Sequence, residues 1–126
     1  MPSRKFILCV VTDPTVRRTK QMVLEHIGFN VTAVGTPAEV QSLITGPVFD
    51  LVVVGRSVPD KAKRQIAETV RNNMSKTPIL EVCTLAPVLP DADHVLHSHD
   101  PEDLASMVKA ILGDRQPMRV AANSTS

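Results

Sequence analysis

The stretch that most constrains this chain is Leu51-Val-Val-Val54, closed by Gly55. Four apolar residues in succession read as a strand buried on both faces, as in the interior of a parallel sheet. Pro59 follows, just ahead of a run of helix formers. In an open parallel sheet, ligands and chemistry lie beyond the carboxyl ends of the strands. Gly55 stands at such an end and brings no side chain to it.

The flanking sequence supplies partners for that strand. Phe6 to Val11 is apolar and rich in β-branched residues, a buried first strand. Asp13-Pro14 then opens a helix as N-cap and first helical residue. Its apolar positions are Val16, Val23, Leu24 and Ile27, with Arg17, Arg18 and Gln21 outward and Gly28 as terminator. Phe29 to Val34 alternates apolar and polar residues, as an edge strand does. Thr36-Pro-Ala-Glu39 is a capping box, and Val40, Leu43 and Ile44 form the inner face of a short helix ended by Gly46-Pro47. After the central strand, Asp60 is expected to cap a helix to about Asn73. Ala62, Ile66 and Val70 face inward there, with Lys61, Lys63, Arg64, Glu68 and Arg71 outward. Ile79 to Cys83 is a fourth strand. Residues 84–91 contain two prolines, which argues against a long helix. His94 to His97 is a short fifth strand. Asp100-Pro-Glu-Asp103 opens a last helix with Leu104, Met107, Val108, Ile111 and Leu112 apolar, closed by Gly113. This alternation predicts an α/β fold, a flavodoxin-like doubly wound parallel sheet of five strands in the order 2-1-3-4-5. The fourth helix is shortened or replaced by a loop. Residues 1–113 form one domain, and 114–126 form a polar tail.

Composition excludes several functions. The 14 basic and 13 acidic residues nearly cancel, so nothing pulls the chain toward nucleic acid or a membrane surface. Three Phe, no Trp and no Tyr disfavour base stacking. The N-terminal apolar run is too short for a signal peptide or a spanning helix, and two cysteines make no disulfide framework, so a cytoplasmic setting is expected. Cys9 and Cys83 lie on strands separated by the third, about 10 Å apart, beyond bridging distance. A dinucleotide fingerprint, a P-loop and a Gly-x-Ser-x-Gly elbow are absent from the sequence.

Taken together and in order, four segments resemble the receiver domain of two-component response regulators over about residues 5–113. They are Ile7-Leu-Cys-Val-Val-Thr-Asp-Pro14, Phe49-Asp-Leu-Val-Val-Val-Gly-Arg-Ser-Val-Pro59, Thr77-Pro-Ile-Leu80, and Ala92-Asp-His-Val-Leu96 followed by Asp100-Pro-Glu-Asp-Leu104. The resemblance implies transfer of a phosphoryl group from a histidine kinase to an aspartate, with Mg²⁺ held by acids and a lysine neutralising charge. This sequence departs from that pattern as a set. The phosphoacceptor position is Gly55, the acid pair falls on Val11 and Thr12, the Ser/Thr position on Cys83, the aromatic switch on Val95 and the lysine on Ser98. The resemblance therefore implies the fold of a degenerate receiver without its chemistry: no enzyme, no cofactor and no metal.

Other residues carry side chains capable of chemistry. Asp13 reads as the helix cap rather than a lone metal ligand. Cys83, His97 and His99 can converge on the carboxyl edge, which raises a metal or redox sensor as an alternative. Asp60 or Asp13 as a displaced phosphoacceptor is another. Arg17, Arg18, Lys20, Lys61, Lys63 and Arg64 are expected to be a solvated basic surface. The leading expectation is a stand-alone module that works by phosphorylation-independent docking to a histidine kinase, another regulator or a second copy of itself. Leu85, Val88, Leu89, Val95, Met107 and Ile111 are the expected contact surface.

Overall fold

The computed structural model describes residues 5–43, 46, 48–98 and 100–113. The predicted tail, Ile44 and His99 lie outside them. In chain order the elements are β1 (Phe6–Val10), α1 (Pro14–His26), β2 (Asn30–Val34), α2 (Pro37–Leu43), β3 (Leu51–Val54), α3 (Asp60–Asn73), β4 (Ile79–Val82), β5 (His94–Leu96) and α4 (Pro101–Leu112). The sheet order is β2-β1-β3-β4-β5, and every pairing is parallel. This is the expected flavodoxin-like fold.

β3 is central, and all four of its residues are fully buried. Alternate strand residues point to opposite faces. Ile7, Cys9, Leu51, Val53, Leu80 and Val82 pack under α1 and α4, against Leu24, Leu104 and Val108. Leu8, Val10, Val52, Val54 and Ile79 pack under α2 and α3, against Val40, Ile66 and Val70. Each helix lays one apolar stripe on the sheet, and burial of such side chains at about 25 cal/mol per Å² is what holds the layers together.

The caps follow the sequence at three helices. Asp13 Oδ1 accepts from the Thr15 and Val16 amides at 2.8 and 3.3 Å. The Glu39 amide donates to Thr36 Oγ1 at 3.2 Å, and Glu39 returns an acceptor to the Gly35 amide at 2.9 Å. Asp100 Oδ1 accepts from the Glu102 amide at 2.9 Å. α3 differs from expectation. Pro59, extended at φ −60° and ψ 151°, occupies the N-cap, and Asp60 is already helical without a side-chain cap bond. Proline fixes the turn one residue earlier than an aspartate cap would.

The strand ends also shift slightly. β1 stops at Val10 and β5 at Leu96, so Val11, Cys83 and His97 stand just outside the sheet. No helix forms between β4 and β5 in residues 83–93, as the prolines predict.

Candidate functional site

The carboxyl edge of the sheet is where this fold places chemistry, and its centre is tightly packed around Gly55. The Gly55 amide donates to the Val10 carbonyl at 2.8 Å. A Cβ on Gly55 would lie 3.0 Å from Val11 Cγ2 and 3.1 Å from the Val10 carbonyl oxygen. Val11 is fully buried and belongs to the core under α1 and α4. Thr12 faces solvent, and the neighbouring Asp13 carboxylate is held by the first amides of α1. Arg17 folds back from α1 so that its Nη1 donates to the Val11 carbonyl at 3.2 Å. Its guanidinium rests on Gly35, where a Cβ would collide with it.

The other corner positions are also committed. Cys83 is buried, and burial, helped by the Glu81 charge, pushes its thiol pKa up. That disfavours a reactive thiolate. Ser98 Oγ donates to Asp103 Oδ2 at 2.6 Å and accepts from the Asp100 amide at 3.1 Å, which ties it to the start of α4. His97 is exposed, and no three His, Cys, Asp or Glu side chains among the described residues are placed to hold a metal ion.

Two lysines expected on the surface are inside. Lys63 on α3 is 3% exposed. Its Nζ donates to Glu81 Oε2 at 2.9 Å and to the Val82 carbonyl at 3.1 Å. Glu81 is 0% exposed, in mid-β4. Its two oxygens also accept the Val88 and Leu89 amides at 2.8 and 2.9 Å. Burial alone would raise the Glu81 pKa. The Val88 amide, the Lys63 ammonium and the Leu89 amide outweigh it and hold the carboxyl below its ordinary value. Arg71, also expected outside, is only partly exposed. It donates to the Asp91 carbonyl at 2.7 Å and to Asp93 Oδ2 at 2.9 Å. Asp93 Oδ2 in turn accepts the Ile79 amide at 2.8 Å. The loop between β4 and β5 is thus fastened at its middle by Glu81, which Lys63 holds, and at its far end by Arg71, both cations coming from α3.

Lys20 on α1 is likewise 3% exposed. It lines a small pocket at the carboxyl edge with Thr15, Val16, Thr19, Arg56 and Pro101. Burial lowers its pKa and so does Arg56, while Cys9 opposes the shift. The sequence carried a signal for both lysines. Lys63 precedes Ile66, Ala67 and Val70 at helical spacing, and Lys20 stands between Val16 and Leu24 at four-residue steps. Glu81, an acid inside an apolar strand, marked the partner of Lys63.

The expected contact surface is only partly outside. Leu85 is 88% exposed. Leu89 is 4% exposed and sits in the core under α2 and α3, because its amide is pulled in by Glu81. Met107 and Ile111 are half-buried against the opposite core, and Val88 and Val95 are half-buried.

No family model and no curated protein matches the chain. Solved structures do. The CheY-like response regulator receiver domain protein of Methanospirillum hungatei JF-1 superposes with a TM-score of 0.76 at 23% identity, covering 87% of this chain and 94% of that one. The chemotaxis response regulator CheY4 of Vibrio cholerae gives 0.74 at 18%, covering 86% and 99%. The CheY-like receiver domain of Methylobacillus flagellatus gives 0.72 at 18%, covering 86% and 99%. With the 2-1-3-4-5 parallel sheet, these likenesses establish that the chain has the fold of the CheY-like response regulator receiver domain.

Proposed function

We propose that this chain is a signal-transduction module of the receiver type that acts by protein contact without being phosphorylated. The observation that carries the reading is the crowded corner. A Cβ at the phosphoacceptor position would stand 3.0 Å from Val11 Cγ2 and 3.1 Å from the Val10 carbonyl oxygen, so any side chain there needs these neighbours to yield by a few tenths of an ångström. The neighbouring residues Val11 and Thr12 offer a carboxylate there no second acid with which to share a cation. Asp13 is the nearest acid in sequence, and its carboxylate is engaged in capping. Asp60 is exposed in the first turn of α3 and is the remaining acid for the displaced-acceptor alternative.

Leu85 is the side chain best placed for contact. It projects from the short exposed span 84–87, which lies between the Cys83 amide on the Leu96 carbonyl and the Val88 and Leu89 amides on Glu81, and anchoring on both sides lowers the ordering cost of binding. The partner class is a histidine kinase, another regulator or a second copy of the chain. No helix among the described residues is long and apolar enough to cross a membrane.

Cross-linking in extracts of the native cell tests the reading. The same partner is expected with and without acetyl phosphate and Mg²⁺, and Leu85→Asp should abolish the cross-link while leaving the thermal midpoint unchanged. A cross-link that forms only with the phosphodonor would refute it.

A further inference from the structure

We propose that the pocket between Lys20 and Arg56 is a non-covalent binding site for a small oxyanion of the phosphate class. The site lies beyond the carboxyl ends of β1 and β3, where α1, the segment after Gly55 and the first residue of α4 meet. Its volume is about 220 Å³. That is below the ~300–1,000 Å³ of pockets for organic ligands, and it suits a single compact ion.

Three observations converge on it. Lys20 lines the pocket although it is almost wholly buried, and it has neither a hydrogen-bond nor an ion-pair partner among the described residues. A buried ammonium in that state is costly unless something supplies a counter-charge. Arg56, on the exposed side of the same pocket, adds a second cation with a planar fork of donors, and it too has no acidic partner among the described residues. None of the side chains lining the pocket is acidic.

The surroundings do not provide the missing charge. Cys9 is the one acidic group seen to act on Lys20, and burial pushes its pKa up to about 11, so its thiol is neutral at pH 7. The Asp13 and Asp100 carboxylates accept amides of their own helices. Thr19 Oγ1 already donates to the Thr15 carbonyl at 3.1 Å, so it shapes the pocket rather than supplying a donor. Two unpaired cations of different reach, one deep and one at the mouth, are what a tetrahedral oxyanion would bridge.

The proposal is independent of the contact reading, since an ion held this way adds no covalent mass and requires no partner. Titration with inorganic phosphate at constant ionic strength, followed by amide chemical shifts of residues 15–20 and 55–57, tests it. Saturable shifts are expected in the wild type, weakened roughly tenfold or more in both Lys20→Met and Arg56→Gln, the loss typical of one charge-assisted contact. Arg56 is exposed, so its variant stays informative if Lys20→Met perturbs folding. Phosphoserine in a parallel titration identifies the source. Binding as tight as phosphate assigns the site to an esterified phosphoryl group, and preference for phosphate assigns it to the free ion; both support the proposal. Shifts that do not saturate, or that persist equally in Arg56→Gln, would overturn it.

Discussion

Lys20 and Lys63 are each 3% exposed, and each stands on the apolar stripe of a helix that covers the sheet. They differ in what faces the ammonium. Lys63 meets Glu81 at 2.9 Å, and Glu81 in turn gathers the Val88 and Leu89 amides. Lys20 faces a pocket and Arg56. One buried cation therefore closes a structural circuit, and the other leaves one open. The same contrast separates the two corners of the carboxyl edge. At β4 a polar network holds a loop in place of a helix. At β1 and β3 apolar packing crowds Gly55, and the cations Lys20 and Arg56 line a pocket to one side.

The difference makes mutations at the two lysines opposite in sign. Lys63→Met strands a buried carboxylate, and breaking such a pair by removing one partner costs about 3–5 kcal/mol. Chemical denaturation should show that loss, together with faster proteolysis of residues 83–93 as the Val88 and Leu89 anchors slacken. An effect below about 1 kcal/mol would mean that the network does not hold the loop. Leu89→Ala, in the core to which Glu81 draws that residue, should cost about 2–5 kcal/mol, and a surface-like cost would return Leu89 to the contact face.

Gly55→Ala should destabilise the fold by about 1–3 kcal/mol through overpacking against Val11 and the Val10 carbonyl. If Val11→Ala in the same chain recovers part of that loss, the crowding at Gly55 is confirmed as steric. Lys20→Met should be neutral or stabilising by up to about 1–3 kcal/mol in phosphate-free buffer, since it removes an unsatisfied buried donor. A large loss there would contradict the contrast between the two lysines.

Acid titration probes the β4 corner. The Glu81 carboxyl is held below its ordinary value of 4.5, so the folded state binds fewer protons than the unfolded state in that range. Its contribution is complete above about pH 4.5 and is lost as pH falls through the folded value. Asp93 acts in the same direction: burial would raise its pKa, and the Arg71 guanidinium and the Ile79 amide outweigh that and lower it from 3.8. Stability should therefore decline below about pH 4.5, with a shallower slope in Glu81→Gln.

Much of the fold was legible because local signals agreed. Leu51 to Val54 read as an interior strand from four residues, and Asp13, Thr36 with Glu39, and Asp100 announced three helix starts through capping chemistry alone. The proposal of an emptied corner rests on the residue types at Val11, Thr12, Gly55, Cys83 and Ser98, which the resemblance alone assigns to it. Two things escaped. The crowding at Gly55 needed coordinates, because only the approach of β1 shows Val11 Cγ2 within 3.0 Å of a Cβ placed there. The buried charges escaped because a lysine on a helix reads as solvated unless its partner is seen, and Glu81 lies 18 residues from Lys63. Leu89 was misplaced for the same reason, since its burial follows from an amide bond to that glutamate.

Intact mass after incubation with acetyl phosphate and Mg²⁺ tests the central claim most directly. The wild type and Gly55→Asp are both expected to keep their unmodified mass, because Val11 crowds the corner and the positions that the resemblance gives to the metal acids and the lysine hold Val11, Thr12 and Ser98. A stoichiometric phosphoryl adduct on the wild type, labile to hydroxylamine, would contradict the claim and point to Asp60 or Asp13 as the acceptor.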